Sequence, residues 1–543
     1  MRTHGIRVLK RLLVPSYSDW LFVALLAWLF VAGAGWSVLL ADGDTGWHIR
    51  AGEFVLDTGA APRRDLFSYS KAGAPWYAWE WLADVLLALA WRAAALKGVV
   101  LLAGLLIASS LLLLFRYMLW RGANLFFAMA ACLAVAAASS IHYLARPHIF
   151  TLLLFPLSLW ILDRDRRRGG RAVWLLIPLT ALWTNLHGGF LALVVSVGAL
   201  AAAALFERNL RRAWRYVALA AGCGTASLAN PYGFALHAHV FEYLRSDWIR
   251  DAVDEFQSPR FRSESAVYLE ILLFAGIATS ALLLRRGNFS EAVLVLLWAH
   301  AALVSVRHVP MFALVAAPVA VSEATRLWNT WARGSPARSI RSILDRLATD
   351  LAAGARRTSL LPLGVALVLA FAAIPFGWPL DFPAAQFPLG LIGRHESLLA
   401  SARVFTSDQW GDYFIYRFHA RQRVFMDGRS DFYGPEIGKL YLRILYGDPK
   451  GREALDRYGV SVVLAARSWP LAHQLRANEG WRVVEEDSSA VLFARSGLAP
   501  APEAQPKEMP SARRTMPQEL LRHEYRKSAP AAPPAAPALA AGG

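Results

Sequence analysis

Residues 80–96 read EWLADVLLALAWRAAAL, a stretch apolar enough to be mistaken for a membrane crossing. How it is read decides the topology. If it crosses, every later loop changes side, and the basic runs DRDRRRGGR at 163–171 and ERNLRRAWR at 207–215 face outward. Short loops rich in Lys and Arg stay cytoplasmic, so the stretch reads instead as an amphipathic helix on the outer surface. Working outward, apolar runs of about 20 residues, the length that crosses a hydrocarbon core, fall near 19–41, 97–116, 123–142, 147–162, 172–185, 188–206, 216–229, 266–284, 289–305, 309–325 and 359–380. With the N-terminus cytoplasmic, the inner segments hold 24 Lys plus Arg. These include Arg2, Arg7, Lys10, Arg11, Arg116, Arg121, Arg285 and Arg286, together with the stretch 326–358. The outer side up to residue 380 holds 11. That excess fixes the orientation.

Composition agrees. Of 543 residues 56% are hydrophobic and only 18% charged, so lipid is part of the solvent. The net charge of +17 is explained by its sorting into inner loops, which speaks for topology and against a nucleic-acid partner. The basic start resembles that of a signal peptide. The apolar run after it is long, however, lacks a small-residue cleavage pattern before Asp42 and is followed by further spans, so it reads as a retained anchor. Cys132 and Cys223 both fall in apolar runs and indicate neither a disulfide framework nor a cysteine metal site. Residues 1–18 are then a cytoplasmic N-terminus and 19–380 a transmembrane domain of about eleven spans, whose first external loop is 42–96. Beyond 380, β-like runs (Arg403–Thr406, Val424–Asp427, Val460–Ala465, Arg482–Glu486, Ala490–Arg495) alternate with helix-like stretches, which predicts a small extracytoplasmic α/β domain over 381–497. The Pro/Ala-rich tail 498–543 cannot bury a core and reads as disordered.

The polar chemistry collects on the outer side. Seven of the nine histidines before residue 380 (His48, His142, His148, His187, His237, His239, His308) fall at or near external span ends, where chance would scatter them over both faces. Ionisable groups at a membrane edge are costly unless they serve a cavity, although interfacial residues also anchor helix ends. The motif DGDTGWH at 42–48 follows the first span directly. Asp42 and Asp44, one residue apart in a turn, can aim oxygens at one point, which suits a divalent cation such as Mg²⁺ or Mn²⁺, or a carboxylate acting as general base. Capping of the helix near Trp47–Leu56 by Asp44 or Thr45 is the structural alternative. That helix and 80–96 form two interfacial helices separated by a turn around Pro62.

Further external clusters are LARPHIF (144–150), TNLHGGF (184–190), ANPYGFALHAH (229–239), DEFQSP (254–259) and VRHVP (306–310). Arg146 and Arg307 can hold phosphate by bidentate hydrogen bonding. Substrate contacts fall to His48, His148, Asn185, His187, Asn230, His237 and His308, while Glu80 or Glu255 can complete a metal or acid–base site. Helix punctuation is the plainer reading of His-Gly-Gly and Asn-Pro-Tyr-Gly. In RVFMDGRSDFYG (423–434), Asp427, Arg429 and Asp431 are secondary candidates in a turn after a strand, and QWGDYFIYRF (409–418) reads as an aromatic helix suited to packing.

A first span, a long external loop opening on DGDTGWH, two interfacial helices in that loop, and many spans followed by an external α/β domain together resemble the GT-C superfamily of integral-membrane glycosyltransferases. The similarity extends to its bacterial dolichyl-phosphate-mannose mannosyltransferase-like or RgtA/B/C/D-like branch. The resemblance implies a multi-pass protein of the bacterial inner membrane. It implies a polyprenyl-phosphate sugar as donor partner, an unspecified acceptor, and Asp42 or Asp44 as catalytic carboxylate or metal ligand. Transfer at the external face by an inverting displacement is the leading expectation. A non-catalytic protein that binds or presents a lipid-linked glycan is the alternative, and a transporter ranks below both because few charges sit near mid-membrane.

Overall fold

The computed structural model describes residues 14–32, 35–263, 265–336, 338–355, 359–374 and 377–497. The basic residues of the N-terminus and the Pro/Ala-rich tail lie outside them. Every one of the eleven apolar runs contains a helix. Four (Trp81–Trp120, Leu125–His142, Ala266–Leu284, Val306–Ala332) are long and apolar enough to cross a membrane, and Tyr17–Phe30, Ala172–Leu186, Phe190–Phe206, Phe289–Val304 and Leu361–Phe371 are shorter apolar helices. Outward-facing Phe274 and Phe371, 69% and 88% exposed, are the kind of surface that lipid covers.

Helix Tyr17–Phe30 starts on a capping box in which Ser16 and Asp19 satisfy each other's backbone N–H groups. Asp19 is fully buried, accepts from the Ser359 hydroxyl at 2.7 Å and pairs with Arg116 at 3.3 Å, which ties three segments together at one end of the bundle. At that same end Arg121 reaches Glu291 at 2.9 Å and Asp163 at 3.5 Å, while Arg166 and Arg167 converge on the same two carboxylates. The basic runs therefore staple the helices together.

Residues 80–96 do form a helix, parted from the following span by a sharp break at Ala94 and Ala95, whose backbone is non-helical within Trp81–Trp120. The chain folds back so tightly there that a β-carbon on Gly98 would overlap the Ala90 carbonyl. Helix Thr45–Thr58 lies against Trp81–Ala94 at Gly52, where a β-carbon would overlap the Asp84 carbonyl. Asp44 precedes that helix without making a side-chain cap, so the capping alternative does not hold; its carboxylate points elsewhere.

The C-terminal region carries a four-stranded sheet of order β1-β2-β4-β3, with β1 (Val404–Phe405) parallel to β2 (Val462–Ala466), and β4 (Ala490–Arg495) antiparallel to both β2 and β3 (Trp481–Glu486). Val462 to Ala465 are all buried, as a strand covered on both faces requires. The run Val424–Asp427 is not a fifth strand. Val424 exchanges backbone hydrogen bonds with Phe67 and Tyr69 of the first loop instead, which docks that loop onto the sheet domain. Helix Asp408–Phe418 packs on Thr45–Thr58 and the turn before it at two glycines, and on the Met426 turn at a third. β-Carbons on Gly43 and Gly46 would overlap the carbonyls of Gln409 and Asp412, and one on Gly411 would overlap that of Met426.

Candidate active site

This glycine-mediated approach closes one side of a cavity of about 1110 Å³ at the loop end of the bundle. The first loop, the starts and ends of several helices, and the turn 426–431 all line it. On one wall Arg146 is held by three carboxylates: Asp42 at 2.7 Å, Asp44 at 2.6 Å and Glu255 at 2.9 Å. Asp42 also accepts from the Asp44 backbone N–H at 2.9 Å, so the DGD turn sets both carboxylates on the same side. Asp42 is the more open of the two, with its side chain 15% exposed against 6% for Asp44.

Burial, followed by the charges of Asp42 and Glu255, outweighs Arg146 and pushes the Asp44 carboxyl up to about 7. Glu255 goes the other way. Burial pushes it up, but Arg146 and Arg307 together hold it well below the usual carboxylate range. Arg307 packs its guanidinium 4.4 Å from the Phe256 ring centre beside the Tyr243 hydroxyl and leaves its charge directed at the cavity.

A second cluster faces the first across the cavity. The Asp84 carboxylate lies 2.6 Å from His48 Nδ1, and Glu80 stands 3.8 Å from His48 Nε2 and 3.5 Å from His187 Nε2. Thr151 links His187 Nδ1 to the Trp183 indole at 2.8 Å each. Burial pushes Glu80 up to about 8 and Asp84 well above its ordinary value, and it pushes His48 and His187 well below theirs. His148 Nε2 lies 2.6 Å from the His142 carbonyl, and His308 Nδ1 lies 3.3 Å from the Ala301 carbonyl. The imidazoles of His48 and His187 are therefore neutral near pH 7, able to donate and accept hydrogen bonds without charge.

The structure thus brings Asp42, Asp44, His48, Glu80, Arg146, His148, His187, Glu255, Arg307 and His308 to one cavity, with Asp427, Arg429 and Asp431 on its rim. It leaves three candidates out. Asn185 accepts from the Trp81 indole and donates to the Ala181 and Ala229 carbonyls, Asn230 holds the Ser227–Gly233 turn, and His237 pairs with Ser227. All three are helix and turn punctuation. Arg429 is committed too, held between Asp65 at 2.8 Å and Asp427 at 2.7 Å over the Trp76 ring, where it fastens the first loop to the sheet domain. Asp431 pairs with His239 at 2.9 Å. Arg146, expected on a phosphate, has its terminal nitrogens on three carboxylates.

Two residues escaped sequence reasoning. Asp84 sits on the buried face of the interfacial helix, where a lone carboxylate in an apolar run was the available signal. Asp412 is fully buried, and its Oδ2 and Asp44 Oδ1 meet beside Gly428, where the two carboxyls hydrogen-bond by sharing a proton. The Gly-Asp pairs at 43–44 and 411–412 were its only trace. As for a metal, the guanidinium of Arg146 already stands between the carboxylates expected to hold one. Among the described residues no group of three or more His, Cys, Asp or Glu is disposed around an ion. The set does not fit a resident cation as it stands.

No family model and no curated relative matches the sequence. Solved structures that it resembles include an archaeal oligosaccharyltransferase and a bacterial ArnT. The oligosaccharyltransferase of Archaeoglobus fulgidus in its apo form aligns at TM-score 0.48 and 12% identity, over 83% of this chain and 68% of that one. The same archaeal enzyme, AglB, in complex with an inhibitory peptide and a dolichol-phosphate aligns at 0.48 and 14% over the same shares. ArnT from Cupriavidus metallidurans bound to undecaprenyl phosphate aligns at 0.44 and 15%, over 89% of this chain and 98% of that one.

Proposed function

We propose that this chain is a GT-C-type membrane glycosyltransferase that moves a sugar from a polyprenyl-phosphate-linked donor to a lipid, glycan or protein acceptor at the extracytoplasmic face of a bacterial inner membrane. One observation carries the reading. A single cavity joins a carboxylate wall at Asp42 and Asp44, a guanidinium at Arg307 and an apolar flank of Leu191, Val195, Leu297, Trp298 and Met311 among the helices. An amphipathic donor needs all three. Its prenyl chain lies along the apolar flank, its phosphate meets Arg307, and its anomeric carbon faces the carboxylates.

The acceptor hydroxyl oxygen bonds to the anomeric carbon as the bond from that carbon to the phosphate oxygen breaks. Asp42, the more open carboxylate, takes the hydroxyl proton, and Arg307 stabilises the charge that develops on the departing phosphate. A single displacement inverts the anomeric centre. Asp44 and Glu255 hold Arg146, which in turn fixes Asp42. The neutral histidines and Glu80 supply hydrogen bonds to sugar hydroxyls, and the aromatic wall of Trp47, Trp76 and Trp79 offers faces for the ring. No step is routed through a metal ion. Cells carrying Asp42→Asn with Asp44→Asn at normal protein abundance are expected to lose a surface glycan. An unchanged glycan profile favours a protein that only holds or presents the lipid-linked glycan.

A further inference from the structure

Asp42 and Asp44 open the first loop and Glu255 lies far along the chain, yet all three end within 3 Å of one side chain. Three carboxylates around a point is the oxygen-rich surrounding that hard divalent cations take. Here the point is occupied by the Arg146 guanidinium, one terminal nitrogen serving Asp42 and Glu255 and the other serving Asp44. The arrangement is more than an acidic cluster. It already contains its cation.

We propose that Arg146 is a built-in replacement for a divalent cation, and that its removal converts Asp42, Asp44 and Glu255 into a cation site that the native chain does not offer. A guanidinium suits the task. It stays charged at any working pH, and its planar fork reaches three carboxylates from one side. An ion entering beside it would face a like charge at contact distance in a partly buried site, where repulsion is strongest. Positive charge at the carboxylates is then present without any dependence on metal supply, and Asp42 is held in position whether or not substrate is bound. Lysine keeps the charge but lacks the fork, so Arg146→Lys loosens the clamp without opening a site for an ion.

The test is Mn²⁺ binding, by calorimetry and by the resonance signal of the bound ion, on the full chain in detergent. The native chain and Arg146→Lys are expected to show no saturable Mn²⁺ at this cluster. Arg146→Ala is expected to bind one Mn²⁺ per chain at least tenfold more tightly than the native chain, and Arg146→Ala with Asp44→Asn to lose it. One tight Mn²⁺ on the native chain that disappears in Asp42→Asn or Asp44→Asn overturns the proposal, and so does a folded Arg146→Ala chain that gains no ion. The native-chain measurement decides the matter even where Arg146→Ala does not fold. None of these readouts depends on sugar transfer. A separate turnover assay rests on that reading: native activity is expected to survive EDTA, and loss that Mn²⁺ restores counts against the proposal. Absence of turnover in every condition instead counts against the transfer reading and leaves the binding result standing.

Discussion

Asp44 is where environment does most to a single residue. Its carboxyl titrates near 7, and only its ionised form holds Arg146 in the clamp that positions Asp42. As pH falls through about 7 the proton returns, the ion pair weakens, and donor turnover is expected to drop; a pH–rate profile of purified protein that stays flat down to pH 5 contradicts this role. Asp42→Asn is expected to cut turnover by about 10²–10⁴-fold, the usual contribution of a positioned general base, with the thermal unfolding midpoint little changed. Glu80 gives a stability prediction of opposite character. Its folded pKa of about 8 stands above the ordinary 4.5, so between those values the folded chain keeps a proton that the unfolded chain has lost. Stability therefore falls as pH rises across that window. Apparent unfolding midpoints measured from pH 7 to 8, where the histidines are neutral in both states, are expected to decline, and to decline less steeply in Glu80→Gln. At this scale the sequence was informative where side chains repeat a pattern: five of the seven outer histidines do line the cavity. It was silent on Asp412, because a carboxylate in an aromatic helix shows its burial only when the partner surface, Gly43 to Gly46, is known.

Among the elements, the helix of residues 80–96 shows both the reach and the limit of pattern reading. Loop charge was enough to part it from the next span, but not to place the break at Ala94 and Ala95. The break at Ala94 and Ala95 contains neither Pro nor Gly, and its only cue is Gly98 one turn later. Val424–Asp427 misled in the other direction: an alternating apolar run looks like sheet, yet its hydrogen bonds go to the first loop. The opposite end of the bundle offers a direct test of the arginine staple. Glu291 is 6% exposed and shared by Arg121, Arg166 and Arg167. Removing it leaves buried guanidinium groups short of a partner, so Glu291→Ala is expected to destabilise the bundle by about 3–5 kcal/mol. A midpoint shift within experimental scatter in a thermal melt counts against that account.

At the scale of the whole molecule, the cavity belongs to neither the helices nor the sheet domain alone. The first loop supplies Asp42 and Asp44, the bundle supplies Arg146 and Arg307, and the C-terminal region seals the wall through Asp412 and Gly428. The Asp65–Arg429–Asp427 link is what keeps that seal in register. Arg429→Ala is expected to expose the first loop to protease and to lower turnover although no donor contact is removed; unaltered proteolysis contradicts the link. The division into membrane and α/β parts was legible because composition changes at about residue 380, whereas their interlocking was not, since it runs through glycines and backbone carbonyls that carry no pattern. The central claim is that this composite cavity transfers sugar from a lipid-linked donor. It is tested most directly by offering the purified chain, in nanodiscs, a panel of undecaprenyl-phosphate sugars with an acceptor-containing membrane extract. Release of undecaprenyl phosphate from one donor, abolished in the Asp42→Asn, Asp44→Asn chain, is the predicted result. Tight binding of a donor with no release from any member of the panel would contradict it.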